Sequence, residues 1–332
     1  MYQLKYDFQQ YNQYIIDYLN MLIKNTTTMF QNQIRNGQIK NSERDAEALA
    51  GCIGNIEEYL HYLFESSPEN FHSILCTTIK NVRTIACFPS NQRRIYGETQ
   101  AQNKLIYINP ELKESRTLTG EERTRLYMAH ELGHISNNEW MKKVVDYANR
   151  QIRTGALTQE HAQLIYDGFS MLDEVTTQDR AEDFVYSFSG KERPQQLNVR
   201  NKNLFNEQTY KTNFDYYGEL QTPATMFART LRGIGKNDND SEALQLLSKR
   251  ALSSDFFDTI LEEYSRDGQM PAFIKEVQYM GLLKRASYAN FGEEDISYCK
   301  NSASYLSELT NITSQMRDRR EPFANINSGD IR

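Results

Sequence analysis

His130-Glu131-Leu132-Gly133-His134 is the stretch on which the reading of this chain turns. On a helix, residues i and i+4 stack on one face, so the two imidazoles can grip one metal ion. Glu131 then sits beside that ion, placed to hold and deprotonate a water. Two histidines with a carboxylate between them are the working parts of a zinc hydrolase. Tyr127, Met128, Ala129, Leu132 and Ile135 give the motif apolar surroundings, and Gly133 allows close approach of another backbone.

Upstream, Thr119 and Glu122 have the spacing of a capping box, so the metal helix should open there and run to Asn137-Asn138. Three short strands are expected before it: Thr84-Ile85-Ala86-Cys87-Phe88, Arg94-Ile95-Tyr96-Gly97 and Lys104-Leu105-Ile106-Tyr107-Ile108, the last two as a hairpin with a long loop. An exposed strand edge beside a metal helix could hold an extended peptide, or the sheet could simply support the helix. N-terminal to these, helices are expected over 2–35, where Tyr11, Ile15, Tyr18, Leu19 and Leu22 recur at helical spacing, and from Ser42 to Ser66-Ser67-Pro68. His61 and His72 read as ordinary packing or surface residues.

Downstream, helices are expected over 140–153, 158–171 and 172–188, from Thr222-Pro223 to Gly233, and over 241–253, 254–266, 270–284 and 297–317. Gly235 to Asp240 is the clearest linker. Asp238-Asn239-Asp240 has the look of a calcium loop, but Ala243 and Lys249 stand where that loop needs Gly and Glu, so it reads as a turn. The fold class expected is α+β and predominantly helical. Residues 1–78 form a helical region, 79–235 a catalytic core with a small sheet before the metal helix, and 236–332 a second helical region.

The 332 residues carry a net charge of -6, which argues against nucleic acid or an anionic membrane as partner. Four cysteines, Cys52, Cys76, Cys87 and Cys299, are too few for a disulfide framework and predict free thiols. Neither a secretory signal nor a run of membrane-spanning length is visible. The expected location is a cytosol, with signal-independent injection into another cell left open. The wealth of Asn, Gln, Tyr, Ile and Lys is suggestive of an AT-rich bacterial genome.

Catalytic zinc takes three protein ligands and keeps one position for water. A metzincin would place its third His where this chain has Trp140, and the Cys element of deformylases is not matched around Cys87. His161 has no supporting pattern. Further along lies Met171-Leu172-Asp173-Glu174-Val175-Thr176-Thr177-Gln178-Asp179-Arg180-Ala181-Glu182. Here, over residues 104–185, the chain resembles the gluzincins, zinc metallopeptidases whose third ligand is a Glu on a later helix. That resemblance implies a zincin-like core, one Zn2+ ion and Glu174 as third ligand, with Glu182 the rival. Thermolysin-like members carry an Asp four residues after the ligand Glu; this chain has Gln178, whose amide could still accept from a ligand imidazole.

The expected activity is hydrolysis of peptide bonds in a protein or peptide substrate, with Glu131 the general base that activates a zinc-bound water. Gluzincins supply a Tyr or His to the oxyanion from a segment after the third ligand, which points to Tyr217, with Tyr216 and Tyr210 nearby. Two alternatives stay open: a binding or regulatory protein with a structural or inactive zinc site, motivated by the long helical flanks, and a zinc hydrolase of a small amide or ester. Oligomeric state is not legible.

Overall fold

The structure is a computed structural model that describes residues 2–193, apart from 41, 94–95 and 115–116, then residues 240–266 and scattered positions from 268 to 281. Within these residues it is predominantly helical with one small sheet, an α+β chain as expected. Seven α-helices are described: α1 (Asn12–Arg35), α2 (Ser42–Ser66), α3 (Pro68–Asn81), α4 (Gly120–Arg153), α5 (Gln159–Ser189), α6 (Asp240–Arg250) and α7 (Phe256–Arg266). Among the described residues, none of the helices is long and apolar enough to cross a membrane.

The strands are β1 (Thr84–Cys87), β2 (Gly97–Gln100) and β3 (Leu105–Ile108), in the order β1-β3-β2. β1 lies parallel to β3, with Ile85 opposite Ile106. β2 and β3 form the expected antiparallel hairpin, Gly97 facing Ile108 and Gln100 facing Leu105. Its loop is short, a 3-10 turn Ala101–Asn103 closed by Lys104 at φ 55°. β2 begins three residues later than the sequence suggested. Apolar Ile95 and Tyr96 drew the eye, yet an edge strand faces water on one side, and Glu98, Thr99 and Gln100 are half-buried there.

Two compact units are distinguishable. One comprises Met1–Glu139, Thr177–Pro194 and Ser248–Ser254; the other comprises Trp140–Thr176, Gln195–Leu247 and Asp255–Arg332. These units group residues by packing, whereas the division at 78 and 235 groups them by chain position. In the first unit α1 and α2 pack on the sheet, and Leu19, Leu22, Ile56, Ile85 and Ile106 share a core with Met128, Leu132 and Ile135 of α4. In the second, Trp140 is fully buried against Phe169 and Phe256.

Several expected boundaries move, each for a physical reason. Residues 2–8 are not helical. The buried Glu57 carboxylate accepts the backbone N–H groups of Lys5 (2.5 Å) and Tyr6 (3.1 Å) and the phenol of Tyr2 (2.7 Å), which occupies donors a helix would use. A helix over 68–81 adds to those expected; Pro68 occupies its first turn, where a missing N–H costs nothing. α4 does not stop at Asn137-Asn138, because Asn137 is buried and spends its amide on α5 rather than on capping its own helix. Likewise 158–171 and 172–188 are one helix, since no Gly or Pro interrupts them at the join. The helices expected over 241–253 and 254–266 are present as α6 and α7. Those expected from Thr222-Pro223 and over 297–317 lie outside the described residues, as do Asp238, Asn239 and Cys299. Cys52, Cys76 and Cys87 are free thiols, and burial pushes the Cys87 thiol up to about 12.

Candidate metal centre

α4 delivers the motif as one continuous turn. Thr119 and Glu122 exchange the two capping-box bonds, Glu122 Oε2 accepting from Thr119 N (2.7 Å) and Thr119 Oγ1 from Glu122 N (3.2 Å). About three turns after Thr119 the rings of His130 and His134 converge. Their Nε2 atoms lie 3.0 Å apart, with ring planes 89° from parallel. A tetrahedral ion with metal–nitrogen bonds of about 2.0–2.1 Å holds two such nitrogens about 3.3 Å apart, so the pair is pre-set to chelate. Glu174 of α5 supplies a carboxylate oxygen to the same group, the three ligand atoms lying within 4.8 Å of one another. Two imidazoles and one carboxylate are a donor set that suits zinc, and the residual gap is the scale of a side-chain torsion.

Among the described residues, no other group of three His, Cys, Asp or Glu side chains gathers in this way. Glu182, the rival ligand, is engaged elsewhere. Its carboxylate accepts from Gln178 Nε2 (2.8 Å) and from Arg193 Nη2 (2.7 Å) and Nε (3.1 Å). Gln178 therefore donates to Glu182, and its buried Oε1 has no hydrogen-bond partner. The expected bond from a ligand imidazole to Gln178 is not formed. His161 is exposed at the start of α5, and His61 stacks on Tyr6 at 4.2 Å as an ordinary packing residue. Tyr210, Tyr216 and Tyr217 lie outside the described residues.

β2 brackets Glu131. A Cβ placed on Gly97 would stand 3.0 Å from Glu131 Oε1 and 3.1 Å from its Cγ, so any larger residue would make the carboxylate shift by a few tenths of an ångström. Thr99 Oγ1 donates to the Glu131 carbonyl at 3.3 Å. Ahead of this strand, Arg93 has a little-exposed side chain whose guanidinium pairs with Asp45 and Glu111 and whose Nε donates to the Phe88 carbonyl. Gly97 was overlooked as a site residue. The signal available was a glycine inside an expected strand, which marks close approach of something else.

Beneath the motif, the space that Gly133 leaves is taken by a side chain rather than by another backbone. Its added Cβ would lie 2.6 Å from Thr177 Cγ2. Thr177 Oγ1 accepts from Asn137 Nδ2 (3.2 Å), and Arg180 Nη2 donates to Asn137 Oδ1 (3.0 Å) while Nη1 donates to the Ser248 carbonyl (2.8 Å). All three side chains are buried, so these bonds are made in a low dielectric, where an unmade one is costly. Asp179, also buried, pairs with Arg193 at 2.9 Å; desolvation nevertheless holds its carboxyl above the usual carboxylate range. No spacing rule announces this clamp, since its members come from α4, α5 and α6.

Comparison of the chain with known protein families, with curated proteins and with solved structures gave no match.

Proposed function

We propose that this chain is a zinc-dependent metallopeptidase of gluzincin type, with a zincin-like core, acting on a protein or peptide substrate. The observation that carries the reading is the meeting of His130 Nε2 and His134 Nε2 at 3.0 Å with the Glu174 carboxylate in the same cluster. Three such ligands, and not four among the described residues, leave a coordination position for water, which favours a catalytic site over a purely structural one.

Zinc held there would supply Lewis acidity, acidifying water and polarising a carbonyl. Everything else falls to the protein. Glu131 is buried against Gly97, and that placement fixes its carboxylate where it can take a proton from water and return it to a leaving amine. Among the described residues the outer edge of β2 has no strand paired to it, so an extended peptide can add there as a further strand and lie across Glu131. A small amide or ester would make no use of such an edge.

The test uses purified full-length protein with its zinc content measured by elemental analysis. Glu131→Gln should retain the metal and lose cleavage of unfolded protein by about 10²-fold or more, the share that general-base catalysis commands. Undiminished cleavage by the variant would end the assignment of Glu131; absence of zinc from the folded protein would end the metal reading.

A further inference from the structure

Next to Glu131 lies a cluster that the proposed chemistry does not use. Arg123, Tyr127 and Glu131 follow one another at four-residue steps along α4 and so form a stripe on one face. The start of β2 runs over this stripe: Gly97 abuts Glu131, and Tyr96 stacks on Tyr127 with ring centroids 4.7 Å apart and planes 18° from parallel. Arg123 covers both rings, its Cζ 5.1 Å from the Tyr96 centroid and 5.8 Å from that of Tyr127. Its Nη1 donates to the Lys113 carbonyl (2.8 Å) and its Nη2 reaches the Tyr127 hydroxyl (3.5 Å). Among the described residues no carboxylate comes within ion-pair distance of this guanidinium, whereas Arg93, Arg125 and Arg193 each have two.

The composition of the cluster is selective. A guanidinium and two phenols offer donors and a positive charge; the Glu182 carboxylate acts on Tyr127 from a distance but is itself held by Gln178 and Arg193. Tyr96 is 47% exposed, so the cluster is open to a ligand. We propose that Arg123, Tyr96 and Tyr127 form a substrate subsite that takes a carboxylate side chain, so that the preferred substrate is a peptide with Asp or Glu near the scissile bond. The proposal rests on the peptidase reading of the site. Distance sets the position. Tyr127 lies about 6 Å along the helix from Glu131, at about 1.5 Å per residue. An extended peptide advances about 3.3 Å per residue, which puts the acidic side chain about two or three residues from the bond that breaks. A charge-assisted bond to guanidinium is directional and is lost when the acid becomes an amide. The net charge of -6 makes such local attraction the more necessary, since the protein as a whole repels acidic chains.

The experiment has two arms. In the first, zinc-loaded full-length protein digests a peptide library prepared from whole-cell protein, and the cut sites are read by mass spectrometry. Asp and Glu should be enriched within three residues of the cut, on one side only. Arg123→Gln should abolish that enrichment and Arg123→Lys should keep part of it. In the second arm, zinc-loaded Glu131→Gln protein is titrated with two fluorescent peptide pools, one with a fixed central Glu and one with a fixed central Gln. The Glu pool should bind about tenfold more tightly, the ratio expected for one such pairing, and the ratio should fall to about one in Glu131→Gln/Arg123→Gln. Equal binding of the two pools, or a preference that survives Arg123→Gln, overturns the subsite. A library left uncut by zinc-loaded protein sinks the peptidase reading, while the anisotropy arm still decides whether the acid-binding cluster exists.

Discussion

α4 and α5 each give side chains to the metal centre, and they differ in how they do so. His130, Glu131 and His134 occupy one turn of a single helix, so their mutual geometry follows from 3.6 residues per turn. Glu174 sits forty residues beyond His134, on another helix, and joins the group only through packing. On α4 the covalent chain sets the distances. On α5 they are set by what the turn Thr177–Glu182 touches: Thr177 against Gly133, Arg180 on Asn137 and Ser248, Asp179 and Glu182 on Arg193. A chelating pair can therefore be written in five residues, whereas its third partner needs a buried scaffold to hold it.

The sharpest way to break this comparison is to swap the roles of the two acids on α5. Glu174→Ala should lower zinc affinity by more than about 100-fold, since even residues that only support a ligand cost 10- to 100-fold. Glu182→Ala should leave zinc bound and cost stability instead, about 2 kcal/mol, as Arg193 loses one of its two carboxylates. Competition with a fluorescent zinc chelator and urea denaturation measure the two quantities. Metal loss in Glu182→Ala with retention in Glu174→Ala would reverse the assignment.

The same contrast explains what was legible. The metal helix, its capping box, the hairpin and the histidine pair could all be read because each rests on neighbours within a turn or two. Glu174 was reachable only through a resemblance, because nothing in its own surroundings separates a ligand from a solvated acid. Gln178 was misjudged for a similar reason. Its position promised a bond to an imidazole, but Glu182, one turn on, accepts its amide instead. Residues 2–8 show the general difficulty: the helical spacing that begins at Tyr11 suggests a helix reaching back to residue 2, and one buried carboxylate more than 50 residues away, Glu57, decides otherwise. Long-range polar partners leave no period in a sequence.

A smaller effect tests the packing itself. In a helix interior Gly133→Ala should gain about 1 kcal/mol of propensity. Against this stands a methyl group 2.6 Å from Thr177 Cγ2, and overpacking of a close core costs about 1–3 kcal/mol. Thr177 cannot easily turn away, because its hydroxyl is bonded to Asn137. The expected result is a net loss of about 1 kcal/mol together with weaker zinc binding. Thr177→Ser removes the clashing methyl and keeps the hydroxyl, so the double variant should recover part of both losses. Additive behaviour in the double-mutant cycle would show that α4 and α5 are not in contact there.

The smallest effect separates local from long-range support at a single residue. Glu122 closes the capping box of α4 with Thr119 and also pairs with Lys191, beyond the end of α5, at 2.6 Å. The Lys191 ammonium, with the Thr119 N–H, holds the Glu122 carboxyl below the usual carboxylate range. A carboxylate with a lowered folded-state pKa contributes stability that is present above its unfolded value, about 4.3, and lost as pH falls through the folded one. Glu122→Gln retains an acceptor for the Thr119 N–H but no charge for Lys191. At pH 7 it should therefore melt slightly below the parent, by less than about 1 kcal/mol for so exposed a lysine. The gap should narrow as pH falls from about 4.3, where the unfolded chain takes up the proton, through the lower folded-state value, where the folded carboxylate follows. It should also shrink in high salt, which screens the ion pair and leaves the cap intact. A gap that stays constant across pH and salt would assign the whole contribution of Glu122 to the cap, and the link between the start of α4 and the end of α5 would then carry no stability.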